Sequence, residues 1–151
     1  MQKIQQKKSA LHNACLLFVN NRFDTITNII EGNKKALFSE TKCSAGDKHE
    51  TGRAMLQLEM EKAGQQLSSV IEMKETLHKI VLDKTTEIIC LGNIIITNMA
   101  NYYLAISAGK ITIDNVDYFV ISTNSPIGKQ LLGKKVGDII PFNNAEILEI
   151  F

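Results

Sequence analysis

Apolar residues in the first half of the chain recur at alternating steps of four and three. Leu56, Met60, Ala63, Leu67, Val70, Leu77 and Val81 keep this spacing, with Lys74 as the polar interruption. An a/d stripe sustained in this way marks a helix paired along its length. A looser stripe runs upstream through Ile4, Leu11, Cys15, Phe18, Thr25 and Ile29, interrupted by Lys8 and Arg22. No proline precedes Pro126, so neither arm is broken by that route. The two stripes predict an antiparallel helical hairpin with arms of about 35 residues, each roughly 50 Å long at 1.5 Å per residue. The chain offers no third amphipathic partner to close a bundle, so the hairpin is expected to project from the domain that follows.

From about residue 86 the period changes to that of strands. Ile88–Leu91, Asn93–Thr97, Tyr102–Ser107, Ile111–Ile113 and Tyr118–Ile121 read as short β runs, with Asp114-Asn115 as a turn. Ser125 as N-cap and Pro126 at the first helical position predict a short helix through Lys129 to Leu132, with Gly133 near its end. Val136–Phe142 and Ile147–Phe151 read as closing strands around an Asn143-Asn144 turn. The fold class expected is α+β: a helical hairpin over residues 1–82, then a small, mainly antiparallel domain over 83–151. Tyr102, Tyr103 and Phe119 are expected in the core or on strand faces.

Composition narrows the function classes. The chain has 151 residues, 44% of them apolar and 22% charged, ordinary values for a soluble globular protein. No apolar run is long enough to span a bilayer and the N-terminus lacks an apolar signal core, so a cytoplasmic location is expected. Cys15, Cys43 and Cys90 are odd in number and widely spaced, against a disulfide framework or a zinc ribbon. The net charge of +1 shows no strongly basic surface, although residues 1–40 hold six Lys/Arg against three Asp/Glu.

The chemistry-bearing stretch is Lys42-Cys43-Ser44-Ala45-Gly46-Asp47-Lys48-His49-Glu50-Thr51-Gly52-Arg53, between the two arms. A zinc site from Cys43 and His49 is disfavoured, because the paired ligand spacing of structural sites is missing. Asp47 and Glu50 also have the spacing of a capping box, with Asp47 accepting from free backbone N–H groups and Glu50 reaching back. His12 and His78 fall on the arms, where packing or solvation accounts for them.

Further on, Ile121-Ser122-Thr123-Asn124-Ser125-Pro126-Ile127-Gly128-Lys129-Gln130-Leu131-Leu132-Gly133-Lys134-Lys135-Val136-Gly137-Asp138 resembles the C-terminal signature of bacterial Gre transcript-cleavage factors. That signature runs approximately S-P-[IL]-[GA]-x-x-L-[LI]-G-K, and the length and two-part layout of the chain agree with it. The resemblance implies a coiled-coil finger followed by an FKBP-like domain. It implies that the globular domain docks on RNA polymerase near its secondary channel, with Asn124, Ser125 and Pro126 as contact candidates. The finger tip, near 42–53, would then reach the polymerase active site and stimulate cleavage of backtracked RNA. The chain itself would not be an enzyme.

The family's tip motif, approximately G-D-L-x-E-N-x-E-Y, corresponds here to Gly46-Asp47-Lys48-His49-Glu50-Thr51-Gly52-Arg53-Ala54. Gly46, Asp47 and Glu50 match; Thr51, Arg53 and Ala54 stand where the pattern has Asn, a second Glu and Tyr. Asp47 and Glu50 are therefore the candidate catalytic and metal-binding residues, helping to hold Mg2+ shared with the polymerase. Magnesium takes oxygen ligands and keeps several waters, so two carboxylates are enough where a partner completes the site. Arg53 reverses the local charge and motivates an alternative: a polymerase-binding regulator of the same fold without cleavage stimulation. A more distant alternative is an FKBP-like prolyl isomerase or chaperone. Six Phe, three Tyr and no Trp are a poor inventory for its apolar cage.

Overall fold

The computed structural model describes the backbone of residues 2–42 and 47–151, and the side chains of residues 2–39 and 51–151. Two long helices come first: α1, Gln2–Lys42, and α2, Asp47–Lys79. Six strands and one short helix follow: β1 Ile94–Thr97, β2 Asn101–Ala105, β3 Gly109–Ile113, β4 Val116–Ser122, α3 Pro126–Leu131, β5 Ile139–Ile140 and β6 Ala145–Ile150. The expected α+β class, a helical hairpin and then a small sheet domain, is what the chain adopts.

The polypeptide divides into two compact units, one comprising Val19–Lys74, the other the chain up to Phe18 together with Glu75–Phe151. In the helical unit, Val19, Ile26, Ala63 and Val70 are buried. The α2 stripe is buried where the heptad reading puts it, at Ala63, Val70 and Leu77, with Leu56, Met60 and Leu67 half-buried. Val81 departs from the expectation: it lies beyond the end of α2 and is exposed. Lys74, the polar interruption, sets its ammonium 5.2 Å from the Phe23 ring centroid, a cation–π contact that fits a lysine at the edge of an apolar seam.

The α1 stripe needs a larger correction. Thr25 and Ile29 are exposed, and so is Arg22, while Val19 and Ile26 are buried and Phe23 and Ile30 half-buried. The buried line thus runs 11, 15, 19, 23, 26, 30. Three successive steps of four between Leu11 and Phe23 shift the stripe by one position. The register is thus offset by one residue from a strict heptad, which a helix of 3.6 residues per turn accommodates.

The sheet has the order β3-β4-β2-β1-β6-β5. Its pairings are antiparallel except β2 with β4, which run parallel in register Tyr102↔Phe119 to Ala105↔Ser122. The parallel pair arises because the β3–β4 hairpin folds back, inserting β4 between β2 and β3. Its turn is Asp114-Asn115, both in the left-handed region at φ 51° and 63°, as a tight hairpin requires.

Two expected strands differ. Ile88–Leu91 is a loop: Ile89 accepts from Gly133 N–H at 3.0 Å and donates to the Lys134 carbonyl at 2.8 Å, but its partner segment is not a strand. Val136–Phe142 shrinks to the two residues of β5, because Val136 and Gly137 form a turn, with Gly137 and Asp138 bonded to Ile147.

One sheet face carries Ile95, Tyr102, Leu104 and Ile147, packed in a cluster with Leu131 of α3 and with Ile89, Ile140 and Ala145. The opposite face carries Ile94, Tyr103 and Tyr118, and the Tyr103 hydroxyl lies 3.4 Å from His12 Nδ1 of α1. Tyr102 and Tyr103 are buried as expected, whereas Phe119 is 41% exposed on its strand face.

Candidate functional site

The segment joining β4 to α3 is where the expected partner-contact residues lie. Ser125 occupies the N-cap in an extended conformation at φ −67° and ψ 155°, and Pro126 opens α3. Its Oγ accepts from the Gly128 N–H at 3.1 Å and donates to the Ser122 carbonyl oxygen at 2.7 Å. The Ser125 N–H in turn donates to Ser122 Oγ at 3.2 Å. This hydroxyl therefore satisfies a free donor of the first helical turn, as the N-cap reading of the sequence requires.

Gly128 completes the arrangement. A Cβ at this position would collide with the Ser122 carbonyl oxygen and stand 2.8 Å from Ser125 Oγ, so glycine lets the helix start pass close under the strand end. Further along, Leu131 is fully buried, and Gly133, at φ +81°, ends the helix in the left-handed region just beyond the Leu132 cap. Asp138 Oδ2 accepts from the Lys135 N–H at 3.0 Å and closes the next turn. The signature residues Ser125, Pro126, Gly128, Leu131, Gly133 and Asp138 thus each perform a structural task. Asn124 and Pro126 are exposed, and Ser125 half-buried, leaving their outer surfaces open. Exposed Leu132, Val136, Ile139 and Phe142 follow in the same stretch.

The other expected site falls at the hairpin reversal. Helix α1 ends at Lys42 and α2 starts at Asp47, so Asp47 and Glu50 belong to the first turn of α2. Their side chains lie outside the described residues, as do those of Cys43 and His49. Arg53, one turn further along, is exposed. Among the described residues no three His, Cys, Asp or Glu side chains gather into a metal site. Among the same residues no helix is long and apolar enough to cross a membrane.

A buried polar cluster at the start of α1 went unread in the sequence. Lys8 is 2% exposed, and its Nζ donates to the Lys84 carbonyl oxygen at 3.2 Å. Burial lowers its pKa, while the negative forms of Cys90 and Asp83 act in the opposite direction. One turn on, His12 Nδ1 lies 3.4 Å from the Tyr103 hydroxyl. Burial, and secondarily His78, hold the imidazole below its ordinary value. Burial pushes the Cys15 thiol up to about 12 and raises the Tyr103 phenol, with Cys15 adding to the latter shift. At neutral pH Cys15 is thus an inert thiol. Lys8 stood in the sequence as an interruption between Ile4 and Leu11. Lys74 interrupts the α2 stripe in the same way and is half-buried, so the spacing by itself does not mark a buried ammonium.

No family model matches the sequence, and no curated protein matches it. Among solved structures the chain is similar to that of the transcription factor Gfh1. The identity is 21%, over 83% of this chain and 89% of that one, with a TM-score of 0.31.

Proposed function

We propose that this chain is a Gre-like transcription elongation factor. It binds RNA polymerase near the secondary channel and stimulates the polymerase's own cleavage of backtracked RNA through Asp47 and Glu50. In this reading residues 1–82 are the finger and 83–151 an FKBP-like docking domain that presents Asn124, Ser125 and Pro126. The observation that carries it is the Ile121–Asp138 signature, a hydrogen-bonded strand–turn–helix unit carried downstream of a two-helix hairpin. The matching acids of the tip motif belong to the first turn of α2.

The chemistry asked of the tip is modest. Two carboxylates bind magnesium weakly on their own, which suits groups that complete a site already furnished by another protein. There the ion supplies activation of the attacking oxygen and stabilisation of the leaving one. Asp47 and Glu50 add negative charge and oxygen ligands, and the chain makes no bond-breaking contribution by itself.

The test is cleavage of backtracked elongation complexes by wild type and an Asp47→Ala/Glu50→Ala double variant, with polymerase pull-down in parallel. Wild type is expected to accelerate cleavage, and the double variant to bind equally while leaving the intrinsic rate unchanged. Equal acceleration by both proteins removes the acids from the mechanism. A second reading rests on exposed Arg53, which puts positive charge one turn from Glu50. It is a polymerase-binding regulator without cleavage stimulation. Binding by wild type that leaves cleavage unchanged or inhibited selects this version.

A further inference from the structure

The buried ammonium of Lys8 has no use in the transcription reading. Among the described residues it has one hydrogen-bond partner, the Lys84 carbonyl, and no carboxylate in ion-pair contact. An ammonium has three donors, and Asp83 acts on this one only at a distance, without an ion-pair contact, so most of its donors are left for a ligand. The same side chain lines a cleft of about 240 Å3 together with Ile4, Gln5, Thr85, Ile150 and Phe151.

We propose that this cleft binds a small monocarboxylate with a short aliphatic tail. The charge match comes from Lys8, whose remaining N–H groups supply the charge-assisted hydrogen bonds that one carboxylate accepts. Gln5 and Thr85 add neutral polar groups at the rim; among the described residues neither side chain is hydrogen-bonded within the protein. The walls contributed by Ile4, Ile150 and Phe151 are apolar and suit a hydrocarbon tail. A single buried cation balances a monoanion and leaves a phosphate dianion uncompensated. The volume lies below the roughly 300–1,000 Å3 of sites for drug-sized ligands, which sets the tail as short. Among the described residues of the docking candidates, Asn124, Ser125 and Pro126 do not line the cleft, so this site is tested independently of polymerase binding.

Calorimetric titration of the full chain with hexanoate, hexanol and hexylammonium tests the assignment, using wild type and Lys8→Met. Hexanoate is expected to bind wild type about tenfold or more tightly than either isostere, and to lose at least about tenfold in Lys8→Met. Methionine keeps the length of the buried stem and removes the charge, so the urea midpoint of the variant is expected to equal or exceed that of wild type. On wild type alone, hexanoate is expected to shift the methyl NMR signals of Ile4 and Ile150, a readout independent of how the variant folds. Equal binding of hexanoate and hexanol overturns the proposal, as does undiminished binding to a folded Lys8→Met. Methyl signals of Ile4 and Ile150 that stay in place at millimolar hexanoate overturn it as well.

Discussion

Ser125 and Gly128 divide the work of starting α3, and they do so by different physics. Ser125 contributes hydrogen bonds that water can partly replace, so Ser125→Ala is expected to cost about 1 kcal/mol. Gly128 contributes absence of bulk. Its Cβ would meet the backbone oxygen of Ser122, which cannot swing aside as a flexible side chain would. Gly128→Ala is therefore expected to destabilise by about 1–3 kcal/mol, more than Ser125→Ala, in urea unfolding of the two variants. Pro126 and Ser125 are legible in sequence because N-cap chemistry is local. The requirement at Gly128 is less so, since the atom it avoids belongs to the end of the preceding strand.

Helix α1 shows where a pattern read from sequence drifts from the face that is buried. A strict heptad assigns Ile29 to the seam; the offset register assigns Ile26, which is 5% exposed against 45% for Ile29. Ile26→Ala is accordingly expected to cost about 2–5 kcal/mol. Ile29→Ala should stay within about 0.5 kcal/mol of wild type, read from helical circular dichroism in urea. Helix α2, by contrast, was legible through Leu77, because its apolar residues leave no competing register. Strands were legible as apolar runs but not as partners. Ile88–Leu91 has strand composition yet lies opposite residues 133–134, which turn. The neighbourhood of β2 and β4 depends on how a hairpin folds over, which no local run encodes. Of the candidate site, the capped turn at Ser125 was readable; the buried Lys8 and the His12–Tyr103 contact were not, since each needs a partner more than seventy residues away.

Folding changes the proton balance of the molecule in opposite directions at its two pH limits. His12 sits below its ordinary 6.5, so the unfolded chain binds more protons there, and stability falls as pH drops through that value. Cys15 is raised from 9.0 to about 12; its contribution is complete below pH 9 and disappears as pH climbs towards 12. Tyr103, raised from 10.0, acts in the same sense, whereas Lys8, lowered from 10.5, opposes both. Maximum stability is expected between about pH 7 and pH 9. Tyr102, Tyr103 and Tyr118 all belong to the sheet unit, so tyrosine emission during urea unfolding follows that unit alone. His12→Asn is expected to flatten the acid limb of the resulting profile, and Cys15→Ala the alkaline limb.

The position of β6 between β1 and β5 has a consequence for the order of events at the ribosome. The α1–α2 hairpin joins neighbours in sequence and can form as soon as α2 emerges. The sheet cannot close in that way, because the last strand to be synthesised belongs in its interior. Until Ala145–Ile150 arrives, β1 presents an unpaired edge, and the cluster of Ile95, Tyr102 and Leu104 lacks Ile147. A chain released short of β6 would thus keep its helices and carry an open β-edge, the form most prone to pair with another copy of itself.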